Sequence, residues 1–218
     1  MSTLLRVDAS IRTDGSVSRA VADSVETEWR DRHPGVVVRR DLGREPLPAT
    51  AWGAAVAAGA TPDADRDPQQ REAVALAATL ADELLAADAI VVASPLYNFG
   101  VPQHVKAWLD LVLTDPRFRP GSAPLAGRPL ALVIARGGGY GPGTPRAGWD
   151  HATPYLQQIF GPVFGADVTL IEAELTLAAV TPAMAGLLDE AERGRARAHT
   201  LAAETGRALA ERVRAVAA

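Results

Sequence analysis

The sequence predicts an α/β domain, a three-layer sandwich whose five-stranded parallel sheet, of order 2-1-3-4-5, carries helices on both faces. Three observations predict it. Short β-branched runs alternate with segments of helical period five times along the chain. The run Pro129 to Ala135 is nearly continuous in apolar residues, as a parallel strand buried on both faces requires. A chain of 218 residues is long enough for one such domain with a sizeable core, and residues 1–218 show neither an internal repeat nor a second domain.

Each element follows in order. Thr3 to Ala9 reads as the first strand and Ser10 to Ser16 as a polar loop. Val17, Val21, Val25 and Trp29 recur every fourth residue, so a helix runs from about Val17 to Arg32, ended by His33-Pro34-Gly35. Val36 to Leu42 is the second strand. Gly43 to Asp67 is an excursion rich in Pro, Ala, Gly and Asp, with a short helix over Ala51 to Ala58. Asp67 is a good N-cap, Pro68 suits the first helical position and Gln70 completes a capping box, so a helix runs to about Ala86. Asp88 to Ala93 is the third strand. The loop Ser94 to Gly100 follows, then an amphipathic run from Val101 to Asp110. Pro129 to Ala135 is the fourth strand and Ala166 to Glu172 the fifth. Between them a helix covers about Asp150 to Phe160. Thr181-Pro182 opens a final helix that nearly reaches the C-terminus.

Bulk properties exclude several function classes. Net charge is −4, against the basic face of a nucleic-acid binder. No cysteine is present, so there is no disulfide, thiolate metal site or thiol nucleophile. His33, His104, His151 and His199 lack ligand spacing with carboxylates, and no metal is expected. No apolar run approaches the roughly 20 residues of a membrane span, and the N-terminal run is too short for a secretory signal. Cytoplasmic residence is the resulting expectation.

In a sheet of this order the loops after strands one, three and four converge at the carboxyl edge, where ligands bind. Each carries residues that turning the chain does not require. Ser10, Ser16, Val17 and Ser18 stand at a helix entry, where free N–H groups and hydroxyls favour one phosphate monoester. The plain alternative is a simple serine cap. Neither Gly-x-x-x-x-Gly-Lys-Ser/Thr nor Gly-x-Gly-x-x-Gly occurs, so neither a P-loop nor a dinucleotide fingerprint is present. Pro95, Leu96, Tyr97, Asn98 and Phe99 suit a flat heteroaromatic ring: a rigid proline, walling aromatics, and an amide that both donates and accepts. Arg136, Gly137 and Gly138 allow backbone amides close to a ligand, with Arg136 placed to favour negative charge on a reduced ring. A phosphate end, a ring-gripping loop and a Gly-rich loop on one edge together suit flavin mononucleotide. The second nucleotide-binding unit expected for FAD is missing.

These residues carry a resemblance. Pro95-Leu96-Tyr97-Asn98-Phe99, Lys106-Ala107-Trp108-Leu109-Asp110, Arg136-Gly137-Gly138, Pro154-Tyr155-Leu156 and Ser16-Val17-Ser18 occur in the order seen in the FMN-dependent azoreductases. Those are flavodoxin-like enzymes close to the NAD(P)H:quinone reductases, and the resemblance covers essentially the whole chain. It implies a homodimer with FMN at an interface active site. NADH or NADPH would be the donor, and quinones or azo compounds the acceptors, reduced in ping-pong order. It also implies that Ser10, Ser16 and Ser18 hold the phosphate, Pro95 to Phe99 the ring, and Arg136, Gly137 and Gly138 its polar end. No side chain need act as acid or base, because the flavin carries the chemistry.

The sequence departs from that family at three places. Ala135 stands where Ser or Thr is frequent, Pro120, two past Phe118, replaces an aromatic, and Gly161-Pro162-Val163-Phe164 replaces a Gly-Phe pattern. Phe118, Pro120, Tyr140, His151 and Pro162 are the candidate substrate-contacting residues. Trp52 and Trp149 read as packing residues. The departures leave room for a tailoring reductase of one aromatic metabolite, or for a flavodoxin-like electron carrier with no substrate of its own. The sequence does not choose between NADH and NADPH.

Overall fold

The computed structural model describes residues 2–33, 35–119 and 121–217. Five parallel strands form the sheet: β1 (Thr3–Asp8), β2 (Val36–Asp41), β3 (Ala89–Pro95), β4 (Pro129–Ala135) and β5 (Asp167–Ala173). Their spatial order is β2-β1-β3-β4-β5, as the alternation of elements predicts. The α-helices are α1 (Val17–Arg32), α2 (Ala51–Gly59), α3 (Pro68–Ala86), α4 (Gln103–Val112), α5 (Thr153–Gln158) and α6 (Leu188–Ala217).

The layers follow from the twofold alternation of side chains along each strand. One row across the sheet reads Val38, Leu5, Ile90, Leu130, Val168. Leu5, Ile90 and Leu130 pack with Leu80 and Leu84 of α3, Trp108 of α4 and Leu156 of α5. The residues between them, such as Val91, Val133 and Ile171, pack with Val21, Val25 and Trp29 of α1 and with Ala202 and Leu209 of α6. This second face is rich in alanine, so α6 lies close against α1 and the sheet.

Helix starts were legible where a side chain fixes them. Asp67 accepts the Gln70 N–H at 2.8 Å and its own N–H donates to Gln70 Oε1 at 3.0 Å, the capping box expected there. Other boundaries differ from expectation. β3 runs two residues further, because Ser94 and Pro95 stay in register with Ile134 and Ala135. Ser94 is fully buried, and the ring-gripping loop therefore opens at Leu96 rather than at Ser94. The helix expected from Asp150 begins at Thr153, since Asp150 Oδ1 instead accepts the N–H groups of Ala152 and Thr153, both at 2.9 Å. After Gln158 the chain widens into a π turn, Ile159–Val163, around Pro162. The C-terminal helix begins at Leu188, because Thr181 makes no capping bond and Pro182–Leu187 forms 3₁₀ turns.

Candidate active site

The loops after β1, β3 and β4 meet at the carboxyl edge of the sheet around a groove of about 200 Å³. Ser10, Ser16, Val17 and Ser18 line it from the first loop, and Pro95, Leu96 and Tyr97 from the second. Ala135 and Gly137 line it from the third. Arg12, Thr176 and Leu177 also line it, and sequence reasoning missed all three. Thr176 and Leu177 follow β5, and only the parallel register of β4 and β5 carries them to this edge.

The first loop is held by one arginine. Arg19 Nη2 donates to the Ser10 carbonyl at 2.7 Å and Nε to the Arg12 carbonyl at 3.2 Å. The same guanidinium grips Asp41 through two bonds of 2.6 and 2.7 Å. Burial alone would raise the Asp41 pKa. The Arg19 hydrogen bonds and the N–H groups of Arg44 and Gly43 outweigh it and hold the carboxyl below its ordinary value. The clamp is thus intact at neutral pH and lost as pH falls through that lowered value. Inside the loop, Ser16 Oγ accepts the Arg19 N–H at 3.4 Å and lies 3.3 Å from Ser18 Oγ. No acidic residue occupies the first turn of α1. Its free N–H groups, the serines and Arg12 make this end of the groove a seat for a small anion.

The second loop is a tight hairpin. Tyr97 and Gly100 exchange backbone hydrogen bonds of 3.3 and 2.9 Å, and the residues between them, Asn98 and Phe99, both have positive φ, 48° and 66°. This is the backbone of a type I′ turn, which favours Asn-Gly. Asn98 fits its position, whereas Phe99 stands where glycine would be unstrained and an aromatic is not. Phe99 remains 40% exposed. Tyr97 anchors the turn to the first loop by accepting the Ile11 N–H on its hydroxyl at 3.3 Å.

The third loop corrects one expectation. Arg136 is 6% exposed, and its guanidinium points away from the groove into a cage of carboxylates. Nη1 donates to Glu174 Oε1 at 2.7 Å, and Nη2 pairs with Glu172 and donates to Thr153 Oγ1 at 3.3 Å. Nε lies 2.8 Å from Asp150 Oδ2, at ion-pair distance though not aligned as a hydrogen bond. Burial would lower the guanidinium pKa. The charges of Glu172 and Asp150 and the bonds to Glu174 and Glu172 outweigh it, and the net direction is upward. The Arg136 N–H and carbonyl are also used, by Ala173 and Thr176. Arg136 therefore fixes the end of β5 and the start of α5, and its charge does not face a ring. Gly137 and Gly138 use their carbonyls on Leu177 and Leu175. Among the described residues their N–H groups donate to no backbone acceptor. A Cβ on Gly137 would stand 2.7 Å from Leu177 Cδ1, so any larger residue there would have to displace the Leu177 side chain that lines the groove.

The candidate substrate residues divide. Tyr140 and His151 are at the second loop, against Phe99 rather than in the lining of the groove: Tyr140 stands edge-on to Phe99 with centroids 6.4 Å apart, and the His151 N–H donates to the Phe99 carbonyl at 3.0 Å. Phe118 is not. It is fully buried in a T-shaped contact with Phe164 at 5.0 Å, because the short Pro116–Phe118 turn drives it into the core. Pro162 lies in the π turn that leads into β5, at the amino edge, so its own chain cannot bring it to the groove. Pro120 lies outside the described residues. Trp149, read from the sequence as a packing residue, is 53% exposed and stands edge-on to Phe99 at 5.6 Å. No short-range pattern marks it, since the contact joins residues fifty apart.

A larger cavity of about 560 Å³ adjoins the groove at Ser16 and Val17. Its interior cations are occupied: Arg6 by Asp8, Asp23 and Glu26, and Arg19 by Asp41. The smaller groove is the one where all three loops converge, with the N–H groups of Gly137 and Gly138 beside it.

A family model described as flavodoxin-like fold matches residues 2–196. The FMN-dependent NADH:quinone oxidoreductase of Parafrankia is 40% identical over 206 residues, 93% of this chain and 97% of that protein. The chain belongs to this flavodoxin-like family. The oxidoreductase of the same name from Kineococcus radiotolerans is 43% identical over 204 residues, 90% of this chain and 92% of that one. An azoreductase structure from Bacillus anthracis superposes with a TM-score of 0.75 at 26% identity, covering 95% of this chain and 99% of that one.

Proposed function

We propose that this flavodoxin-like protein is an FMN-dependent NADH:quinone oxidoreductase that also accepts azo compounds. The observation that carries the reading is the groove, with an anion seat at one end and a ring-sized loop pair at the other. Ser10, Ser16, Ser18 and the first N–H groups of α1 would bind the phosphate. Leu96, Tyr97, Asn98 and Phe99 would wall the ring, with the N–H groups of Gly137 and Gly138 at its polar edge. When bound, FMN supplies hydride transfer between the nicotinamide donor and the acceptor. The chain's own residues hold the ring, shield it from water and leave one face open to the donor and the acceptor in turn. In the overall balance NADH gives two electrons and a proton. A quinone takes two electrons and two protons, the second proton from solvent. Cleaving an azo bond to two amines takes two such rounds.

The active form in this reading is a homodimer working in the cytoplasm. In support, α2 contains no charged residue and leaves Trp52 and Val56 about half exposed on one side. A second copy is the natural cover for so apolar a helix face. Among the described residues no helix is long and apolar enough to cross a membrane.

The purified protein should be yellow with FMN, and anaerobic NADH should bleach it, faster than NADPH does. A protein that stays colourless with added FMN would end this reading. Flavin that bleaches only through a protein partner would point to an electron carrier instead. A second expected outcome concerns the clamp on the first loop. Arg19→Met removes its bonds to Ser10, Arg12 and Asp41 and should weaken FMN about tenfold, roughly the effect of one charged hydrogen bond. Wild-type FMN should likewise be released on acidification, as pH falls through the lowered pKa of Asp41. Fluorescence titration of free FMN measures both, and unchanged affinity in the variant would show that the clamp does not shape the phosphate seat.

A further inference from the structure

The cation expected at the third loop is occupied elsewhere, yet the loop holds a second one. Arg146 lies with its Nη1 only 2.9 Å from where a Cβ on Gly138 would stand, so its guanidinium rests against the glycine backbone beside the groove. Among the described residues it makes no ion pair. The carboxylates on this edge, Asp150, Glu172 and Glu174, already serve Arg136. The edge therefore carries an unpaired positive charge on a chain whose net charge is −4.

The same loop carries the aromatic surface. Trp149 stands at 79° to the Phe99 ring and Tyr140 at 64°, and both Trp149 and Phe99 keep large areas open to solvent. The arrangement is built rather than loose. The Tyr140 N–H donates to Glu174 Oε1 at 3.0 Å, the Thr144 hydroxyl to the Gly141 carbonyl at 2.8 Å, and the His151 N–H to the strained Phe99. A wall of rings beside a free guanidinium matches one kind of ligand, a flat aromatic with an anionic substituent. The rings cover its face, and the fork of N–H donors takes a sulfonate or carboxylate in two parallel bonds.

We propose that Arg146 and Trp149 are specificity residues that select planar acceptors bearing an anionic group. This inference rests on the oxidoreductase reading for the reaction, but binding tests it independently. With the FMN-loaded protein, kcat/KM is compared for 1,4-naphthoquinone-2-sulfonate and 2-methyl-1,4-naphthoquinone, which differ in charge at the same ring size. Arg146→Met should cut the value for the sulfonate about tenfold or more and leave the methyl compound within about twofold. Trp149→Ala should lower both. The wild-type preference for the sulfonate should shrink as salt is raised.

Equal effects of Arg146→Met on both quinones would overturn the proposal. So would a shift in the flavin midpoint potential with the acceptor ratio unchanged, which would place Arg146 on the cofactor. Without any donor, naphthalene-2-sulfonate should quench tryptophan fluorescence in the wild type, less in Arg146→Met, and still less in Trp149→Phe. A protein that binds this sulfonate but oxidises no NADH would refute the oxidoreductase reading while keeping the anion site. One that oxidises NADH but shows no such quenching would do the reverse.

Discussion

Arg136→Met is expected to lower the melting temperature by about 6–12 °C and to weaken flavin retention with it. The variant removes the one cation among Asp150, Glu172 and Glu174 and leaves those three charges facing each other. Removing one partner of a buried ion network costs about 3–5 kcal/mol. The Glu172 and Glu174 side chains are 43% and 32% exposed, so water screens part of the repulsion and the low end, about 3 kcal/mol, applies. For a chain of this length each kcal/mol shifts the midpoint by about 2–4 °C. Flavin retention should fall because the cage ties the end of β5 to the start of α5 and so sets the path of Gly137 and Gly138. Glu172→Gln, at the most exposed arm, should cost under about 1 kcal/mol. Calorimetry of both variants is the check. An Arg136→Met protein that melts within about 1 °C of wild type would show that the cage does not hold this edge together.

Phe99→Gly should separate stability from activity. A phenylalanine with φ of 66° costs about 1–3 kcal/mol in strain, which glycine removes. The change also loses the edge contacts with Tyr140 and Trp149, about 0.5–1.5 kcal/mol each. The terms nearly offset, so stability should stay within about 1 kcal/mol of wild type. Acceptor turnover should fall at least about tenfold, because the proposed reading gives this ring the acceptor side of the site. Asn98→Leu is the contrasting control. It places a branched side chain at φ 48°, adds about 1–2 kcal/mol of strain and deletes the amide, so stability and FMN affinity should fall together. Thermal melts beside steady-state rates distinguish the two. A Phe99→Gly enzyme with full activity would mean that the strain at this turn serves no purpose in the site.

Much of the framework was legible because its causes are local. The 3.6-residue period fixed α1, the Asp67–Gln70 box and Pro68 fixed the start of α3, and the apolar run Pro129 to Ala135 fixed β4 to the residue. Strand order followed from the alternation of elements, and order alone brought the loops holding Ser16, Tyr97 and Gly137 to one groove. Boundaries slipped where a tertiary partner decided them, as when pairing with Ile134 and Ala135 kept Ser94 and Pro95 in β3.

The orientation of side chains was the part the sequence could not hold. Arg136 sits beside two glycines in the chain and reads as a ligand for a ring. Its direction depends on Asp150, Glu172 and Glu174, 14 to 38 residues away, which form a lower-energy destination for a buried charge than an open groove does. Phe118 likewise turns inward because Phe164 offers it a partner, and Trp149 turns outward because Phe99 does. By itself the sequence determined the α/β fold and the edge at which the loops after β1, β3 and β4 meet, since periodicity, capping and turn chemistry act over a few residues. Only the tertiary structure decided which arginine is tied up and which is free, because charge pairing and ring packing act between residues that the fold alone brings together.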